Sequence, residues 1–296
     1  MITTPADIAG LWLENCVSNI ITRKYKLKHM FHPDLDKFQG RKWVIVGPGP
    51  QLDEGDRLER IRSLIADGYL VAIPDRSMVV CKHHGIKPDV VVCADPDFNK
   101  NYGTSWYYPE ESKDITLIAS LKCGRYFINN WQGPLYWWIH HGSYFEEQFD
   151  KLADAFNLPG IQELSTVACL ARMILYLWDA EDVIDFGCDH TYYGKEVYYP
   201  TLDSFMVHVT KYYADPLPTG DVHYSSRVTM EKIITDHHHE EHRVTSFPYP
   251  LVERETELGK EYLFTDDMMR YNQEQFEAAE NYAKELIESG LRETVR

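Results

Sequence analysis

Three short segments hold the residues best suited to bind and react a phosphorylated ligand. The first is Gly47-Pro48-Gly49-Pro50-Gln51, which follows the apolar run Trp43-Val44-Ile45-Val46 and precedes a helical pattern. Glycine lets a backbone approach a phosphate closely, and a helix N-terminus offers free N–H groups and a partial positive charge. The second and third are Asp95-Pro96-Asp97 and Gly187-Cys188-Asp189-His190. Each of them also follows a run that reads as a buried strand. Carboxylates are hard oxygen donors, so Asp95, Asp97 and Asp189 are candidates to hold Mg²⁺ against a di- or triphosphate. One of them could instead bind a ribose hydroxyl pair, and the same residue type also caps helices and turns. His190, beside Asp189, is the histidine best placed for acid–base work.

The glycine segment is not a complete fingerprint of any one ligand. It lacks the third glycine of the dinucleotide motif and the Gly-Lys-Ser/Thr ending of a P-loop, and its two prolines remove N–H donors. A ligand loop and a plain tight turn both fit it. Ser165 and Thr166 stand at the start of a strong helical pattern, where a hydroxyl can cap the helix or share its terminus with a bound anion. In Asp236-His237-His238-His239-Glu240-Glu241-His242, His238 and His242 have the spacing of two ligands on one helix face. The HExxH pattern is absent and no amphipathic helix surrounds the cluster, so it reads as a polar loop. Trp131, Tyr136, Trp137 and Trp138, with the pairs Tyr192-Tyr193 and Tyr198-Tyr199, offer flat rings that could stack on a base or pterin. Such residues more often pack a core.

Positioning these segments requires strands and helices in alternation. Residues 5 to 38 read as a helical region, with Ile8, Leu11, Trp12 and Cys16 on one face. Lys24 to Lys28 is a small basic patch, read as a solvated helix end. From Arg41, strands are expected at Trp43–Val46, Tyr69–Ile73, Val90–Ala94, Ile115–Ala119 and Val183–Gly187, with Arg125-Tyr126-Phe127-Ile128 as the candidate fifth in chain order. Helices are expected from about Glu54 to Ala66, from Ser77 to His84 with Gly85 as the stop, from Thr166 to Trp178, and from Thr265 to Ser289 before Gly290. Residues 192 to 260 read as loops with short elements. This order predicts an α/β protein with a mostly parallel sheet and helices on both faces, in which ligands gather at the carboxyl ends of the strands.

The chain has 296 residues, a size for one large α/β domain with additions, or two modest domains. Acidic residues outnumber basic ones 46 to 30 for a net charge of −16, which argues against duplex nucleic acid as a partner. The six cysteines are scattered without a C-x-x-C pair and read as reduced core residues. The N-terminus shows no basic segment before an apolar stretch, and no apolar run approaches the ~20 residues of a membrane span. A cytoplasmic protein without membrane partners is expected.

VIVGPGPQLD, KPDVVVCADPD and LSTVACLARMILYLWDAEDVIDFGCD, in that order between Trp43 and Asp189, resemble the archaeal 6-hydroxymethyl-7,8-dihydropterin pyrophosphokinase-like family. That family also includes the catalytic region of motility-associated flagellin glycosyltransferases. Gln51 stands where the family usually has serine, and Leu164 where a glycine is common. The resemblance implies a Rossmann-like fold, here with N-terminal (1–40) and C-terminal (192–296) helical additions around a nucleotide-binding core (41–191). It implies a nucleotide-dependent transferase of one of two kinds. One transfers diphosphate from ATP, with Mg²⁺, to a hydroxymethyl group of a pterin-like acceptor. The other transfers a nonulosonic acid from a CMP-sugar to a hydroxyl. The chain's lack of large flanking domains ranks the first ahead of the second, and a non-catalytic nucleotide-binding protein stands third. In this reading Gly47, Pro48, Gly49, Pro50, Gln51, Ser165 and Thr166 bind the nucleotide, Asp95, Asp97 and Asp189 bind the metal, and Asp189, His190 and Asp95 carry catalysis. The partners are then a nucleotide and a small acceptor, and homo-oligomerisation stays open.

Overall fold

The structure, a computed structural model, describes residues 5–23, 27–48, 52, 55–94, 96, 109–141, 146–162, 164, 166–188, 192–193, 251–256, 259–264 and 267–291. Its centre is a seven-stranded sheet in which every pairing is parallel, in the order β6-β5-β4-β3-β2-β1-β7. The strands are β1 (Lys42–Val46), β2 (Leu70–Pro74), β3 (Val90–Cys93), β4 (Thr116–Ser120), β5 (Leu135–His141), β6 (Gly160–Gln162) and β7 (Asp182–Phe186). The helices are α1 (Pro5–Thr22), α2 (Arg57–Ala66), α3 (Met78–His83), α4 (Arg125–Asn130), α5 (Glu146–Phe156), α6 (Val167–Leu177) and α7 (Asp267–Glu288). A small antiparallel sheet, ordered β8-β10-β9, is formed by β8 (Tyr192–Tyr193), β9 (Leu251–Thr256) and β10 (Gly259–Phe264).

Both faces of a parallel sheet are covered, so its central strands β1 to β4 are largely apolar and their side chains alternate between two cores. Val44, Val46, Val71, Ile73, Val91, Leu117, Trp137 and Ile139 point to one core, shared with Cys16 and Ile20 of α1, Ile61 of α2, Phe127 of α4 and Phe149 of α5. Trp43, Ile45, Ala72, Val90, Val92, Ile118 and Trp138 point to the other, shared with α6 and with Phe276, Ala279 and Ala283 of α7. Four of the aromatic residues considered as stacking surfaces are core, whereas Tyr198 and Tyr199 lie outside the described residues. Trp131, Tyr136, Trp137 and Trp138 are buried, and Trp43 packs against both Phe38 and Trp178 at ring separations of 5.5 and 6.1 Å.

Helix α6 is buried on nearly every side, more than the single apolar face its sequence suggests. It lies between the sheet and α7, where the small side chains of Ala279 and Ala283 allow close approach. Arg125–Ile128 is helix, not strand. Phe127 and Ile128 are buried while Tyr126 is 37% exposed, so this short helix lays one side on the core. A six-residue element with only three apolar or aromatic positions carries too little period to separate the two forms. The true fifth strand is the Trp- and His-rich β5. Gly85 has φ +64 and Gly290 φ +83, as helix stops require.

Candidate functional site

An all-parallel sheet has its carboxyl ends along one rim. The chain lays β1 to β6 in one direction and then crosses back through α6 to place β7 on the other side of β1. The connections leaving β1 and β7 therefore part at their shared border, and such a switch point is where open α/β sheets form their ligand crevice.

Here the two connections touch. The Gly47 N–H donates to Phe186 O at 2.8 Å. A Cβ on Gly47 would lie 2.3 Å from Gly187 O and 2.8 Å from Cys188 Sγ, so residue 47 must be glycine for the loops to meet. Gly187 adopts φ +68, turning the chain away from β7. Leu52 is fully buried and pins the β1 loop to the core below. Pro48 is half-buried beside this junction. Gly49, Pro50, Gln51, Asp189 and His190 lie outside the described residues, as do Asp95, Asp97, Ser165 and the His237–His242 segment.

Further along the rim, β2, β3 and β4 end in a packed polar cluster. Asp75 follows β2, is 2% exposed, and neighbours the Cys93 thiol. Cys123 Sγ donates to Cys93 O at 3.0 Å and sits 3.4 Å from Cys93 Sγ. Burial, with the nearby Cys123 and Asp75, pushes the Cys93 thiol up, and burial pushes Cys16 and Cys81 up to about 12. Buried in this way, the thiols pack as small apolar side chains. They are reduced core residues, as their scatter suggests. Lys122, 1% exposed, places Nζ 4.1 Å from the Trp12 ring centroid beneath α1.

Thr166 is the N-cap of α6, its Oγ1 accepting from Cys169 N at 3.2 Å. The hydroxyl therefore already has the structural role open to it. Arg172 of α6 pairs with Asp185 of β7 at 3.0 Å and lies 4.6 Å from the Phe276 ring centroid, tying the outer strand to both helices. Among the described residues no group of three His, Cys, Asp or Glu side chains could hold a metal, and no helix is long and apolar enough to cross a membrane.

The rim thus brings Gly47 and Pro48 together with Gly187 and Cys188. The β3 end, with Ala94 and Pro96, lies on the same rim three strand steps from β7, about 14 Å at the usual strand spacing. Sequence reasoning missed Asp75, Lys122, Asn15 and Asn19. For the two asparagines a signal exists, since both fall within the buried stripe of α1 that holds Trp12, Cys16 and Ile20.

Sheet order, covered faces and the touching β1 and β7 loops define a Rossmann-like α/β protein. Residues 14–195 match the model of the family described as 6-hydroxymethylpterin diphosphokinase MptE-like, and the chain belongs to that family, one of transferases. In fold the chain is similar to the structure of MAf glycosyltransferase from Magnetospirillum magneticum AMB-1, at 14% identity and a TM-score of 0.41. That match covers 86% of this chain and 31% of the glycosyltransferase, so this chain spans about a third of its length. No curated protein matches the chain in sequence.

Proposed function

We propose that the protein transfers diphosphate from ATP, with Mg²⁺, to the hydroxymethyl group of a pterin-like acceptor. The observation that supports this is the close junction of Gly47 and Gly187 at the β1/β7 border in a chain of the diphosphokinase family. The β1 loop, Gly47 to Gln51, takes the phosphates against its backbone. Ser165 and Thr166 support the nucleotide at the start of α6.

The donors available to a metal are all carboxylate oxygens, which suit Mg²⁺. Asp95 and Asp97, flanking Pro96, would hold it, and when bound it would offset phosphate charge. Asp189, next in sequence after Cys188, would serve the metal, the ribose or the acceptor alcohol. In the reaction the acceptor oxygen bonds to the β-phosphorus of ATP, the bond from that phosphorus to the bridging oxygen breaks, and AMP leaves. The alcohol proton passes to Asp189 or His190. Little covalent work falls to the protein, whose contribution is placement and charge.

The test is a thermal-shift panel of ATP, ADP, CTP, CMP and a CMP-sugar, each with and without Mg²⁺, followed by AMP release with 6-hydroxymethyl-7,8-dihydropterin. A metal-dependent ATP shift with acceptor-dependent AMP is expected, and Asp95→Ala and Asp189→Ala should abolish it while leaving the melting point nearly unchanged. A metal-indifferent CMP shift would replace this reading with glycosyl transfer. Silence across the panel would replace it with a non-catalytic role.

A further inference from the structure

The borders of the rim differ in the hydrogen-bond donors they leave for a ligand. At the β3/β4 border two buried asparagines of α1 spend theirs on the fold. Asn15 Nδ2 donates to Pro96 O at 2.8 Å and to Lys122 O at 3.0 Å. Asn19 Nδ2 donates to Leu121 O at 2.9 Å and to Cys123 O at 3.0 Å. At the β1/β7 border the backbone is poor in donors. The Gly47 N–H is taken by Phe186 O, and Pro48 and Pro50 have no N–H. Residues 47–50 thus leave a polyphosphate at most one backbone donor, that of Gly49. The net charge of −16 also repels such a ligand. A phosphate held at this border needs a side-chain cation.

Arg60 of α2 stands there. Its Cζ lies 5.9 Å from the centroid of the Phe186 ring, within cation–π range. Phe186 ends β7, pairs in register with Val46, and accepts the Gly47 N–H, so the guanidinium sits over the glycine junction itself. Phe186 is 8% exposed while Arg60 is exposed, so the arginine covers the ring and keeps its charged head in water. Arg172 of α6 is paired with Asp185, and Arg62 reaches His84 O at 3.3 Å, whereas among the described residues no carboxylate pairs with Arg60. A cation in the first turn of a helix works against the helix dipole, so the stability of α2 does not account for arginine at this position. We infer that Arg60 is a ligand-binding residue of the β1/β7 crevice and takes a phosphate group of the nucleotide in a two-pronged hydrogen bond. This rests on the reading of that border as the phosphate side of the site. A guanidinium carries five N–H donors in a planar fork that matches two phosphate oxygens, and it replaces the donors that the prolines withhold. Resting on the Phe186 ring restricts the side chain beforehand, so less freedom is lost when phosphate binds.

Arg62 makes a matched control, exposed on the same helix and directed to the end of α3. The purified 296-residue protein is compared as wild type, Arg60→Gln, Arg60→Lys and Arg62→Gln. The readings are the melting temperature without ligand and the midpoints of the thermal shifts produced by ATP with Mg²⁺, by inorganic pyrophosphate and by CMP. Arg60→Gln should raise the ATP midpoint about tenfold, the loss expected for a charge-assisted hydrogen bond. Arg60→Lys should recover part of it, since it keeps the charge and loses the fork. Arg62→Gln removes the same charge from the molecule and should stay within about twofold of wild type. All three should melt within about 2 degrees of wild type, as surface substitutions do. A lower melting temperature for Arg60→Gln with an unmoved ATP midpoint would make Arg60 a cover for Phe186 and overturn the inference. Equal ATP midpoints for Arg60→Gln and Arg62→Gln, beside a wild type that responds to ATP, would overturn the role of Arg60 and keep the nucleotide site. A wild type that ignores ATP, but whose shift with pyrophosphate or CMP is lost in Arg60→Gln alone, would keep Arg60 and overturn the ATP reading. Silence of the wild type toward every probe would overturn both.

Discussion

The two ends of the rim are built on opposite principles. At the β1/β7 border backbone meets backbone, and the absence of a side chain at Gly47 makes the contact. At the β3/β4 border the loops are held by side-chain amides reaching in from α1, a helix distant in sequence. A junction made by glycine is fixed by sterics and tolerates no substitution. One made by asparagine is fixed by hydrogen bonds and can be loosened by degrees. A single rim thus pairs a border fixed by backbone contact with one held by side-chain hydrogen bonds.

The sharpest way to break this contrast is Gly47→Ala. The added carbon would lie 2.3 Å from Gly187 O, so the loops must separate. We expect a loss of about 3 kcal/mol in urea unfolding together with loss of the ATP shift. Unchanged stability would mean that the junction yields as readily as the asparagine clasp. Thr166→Ala is expected to cost about 1 kcal/mol through the lost cap of α6. If ATP also bridges to that hydroxyl, the midpoint for ATP rises; if capping is its whole role, only the unfolding midpoint moves.

The smallest effect belongs to Asp89, which precedes β3 at the amino end of the sheet, away from the rim. Its Oδ2 accepts from Val71 N at 2.8 Å, and burial raises its carboxyl pKa above the usual value of 3.8. A group with a raised folded pKa contributes stability that is present below its unfolded pKa and lost as pH rises through the folded one. Asp89→Asn keeps an acceptor for Val71 and removes the titration. The variant should therefore gain slightly on wild type as pH climbs above 3.8, with no change in ATP response. Urea midpoints across that range decide it, and a gain on acidification would reverse the sign.

How much of this was legible follows from the same contrast. Strands β1 to β4 announce themselves as apolar, largely β-branched runs because both of their faces are buried, and β7 shows Val183-Ile184 despite the exposed Asp185. Glycine at residue 47 is readable for a related reason, since close approach demands it. Strand β5 hid because its aromatic residues suggest a stacking surface, and β6 because three residues carry no period. The β9–β10 hairpin is rich in charge, and Glu257-Leu258 between its strands lacks the Asn-Gly or Asp-Gly cue. Asn15 and Asn19 were overlooked because a polar residue in an apolar stripe declares that it has a partner without saying which. Pro96 lies too far along the chain for any local pattern to find.

The return of the chain from β6 to β7 carries a consequence for synthesis. Six strands can line up as soon as they emerge, but the seventh, Asp182–Phe186, must wait for α6 to cross the sheet. Until then β1 is an open edge of a nearly finished sheet, a template on which a neighbouring nascent chain can pair. The strand that completes the crevice is therefore also the one that covers the β1 edge.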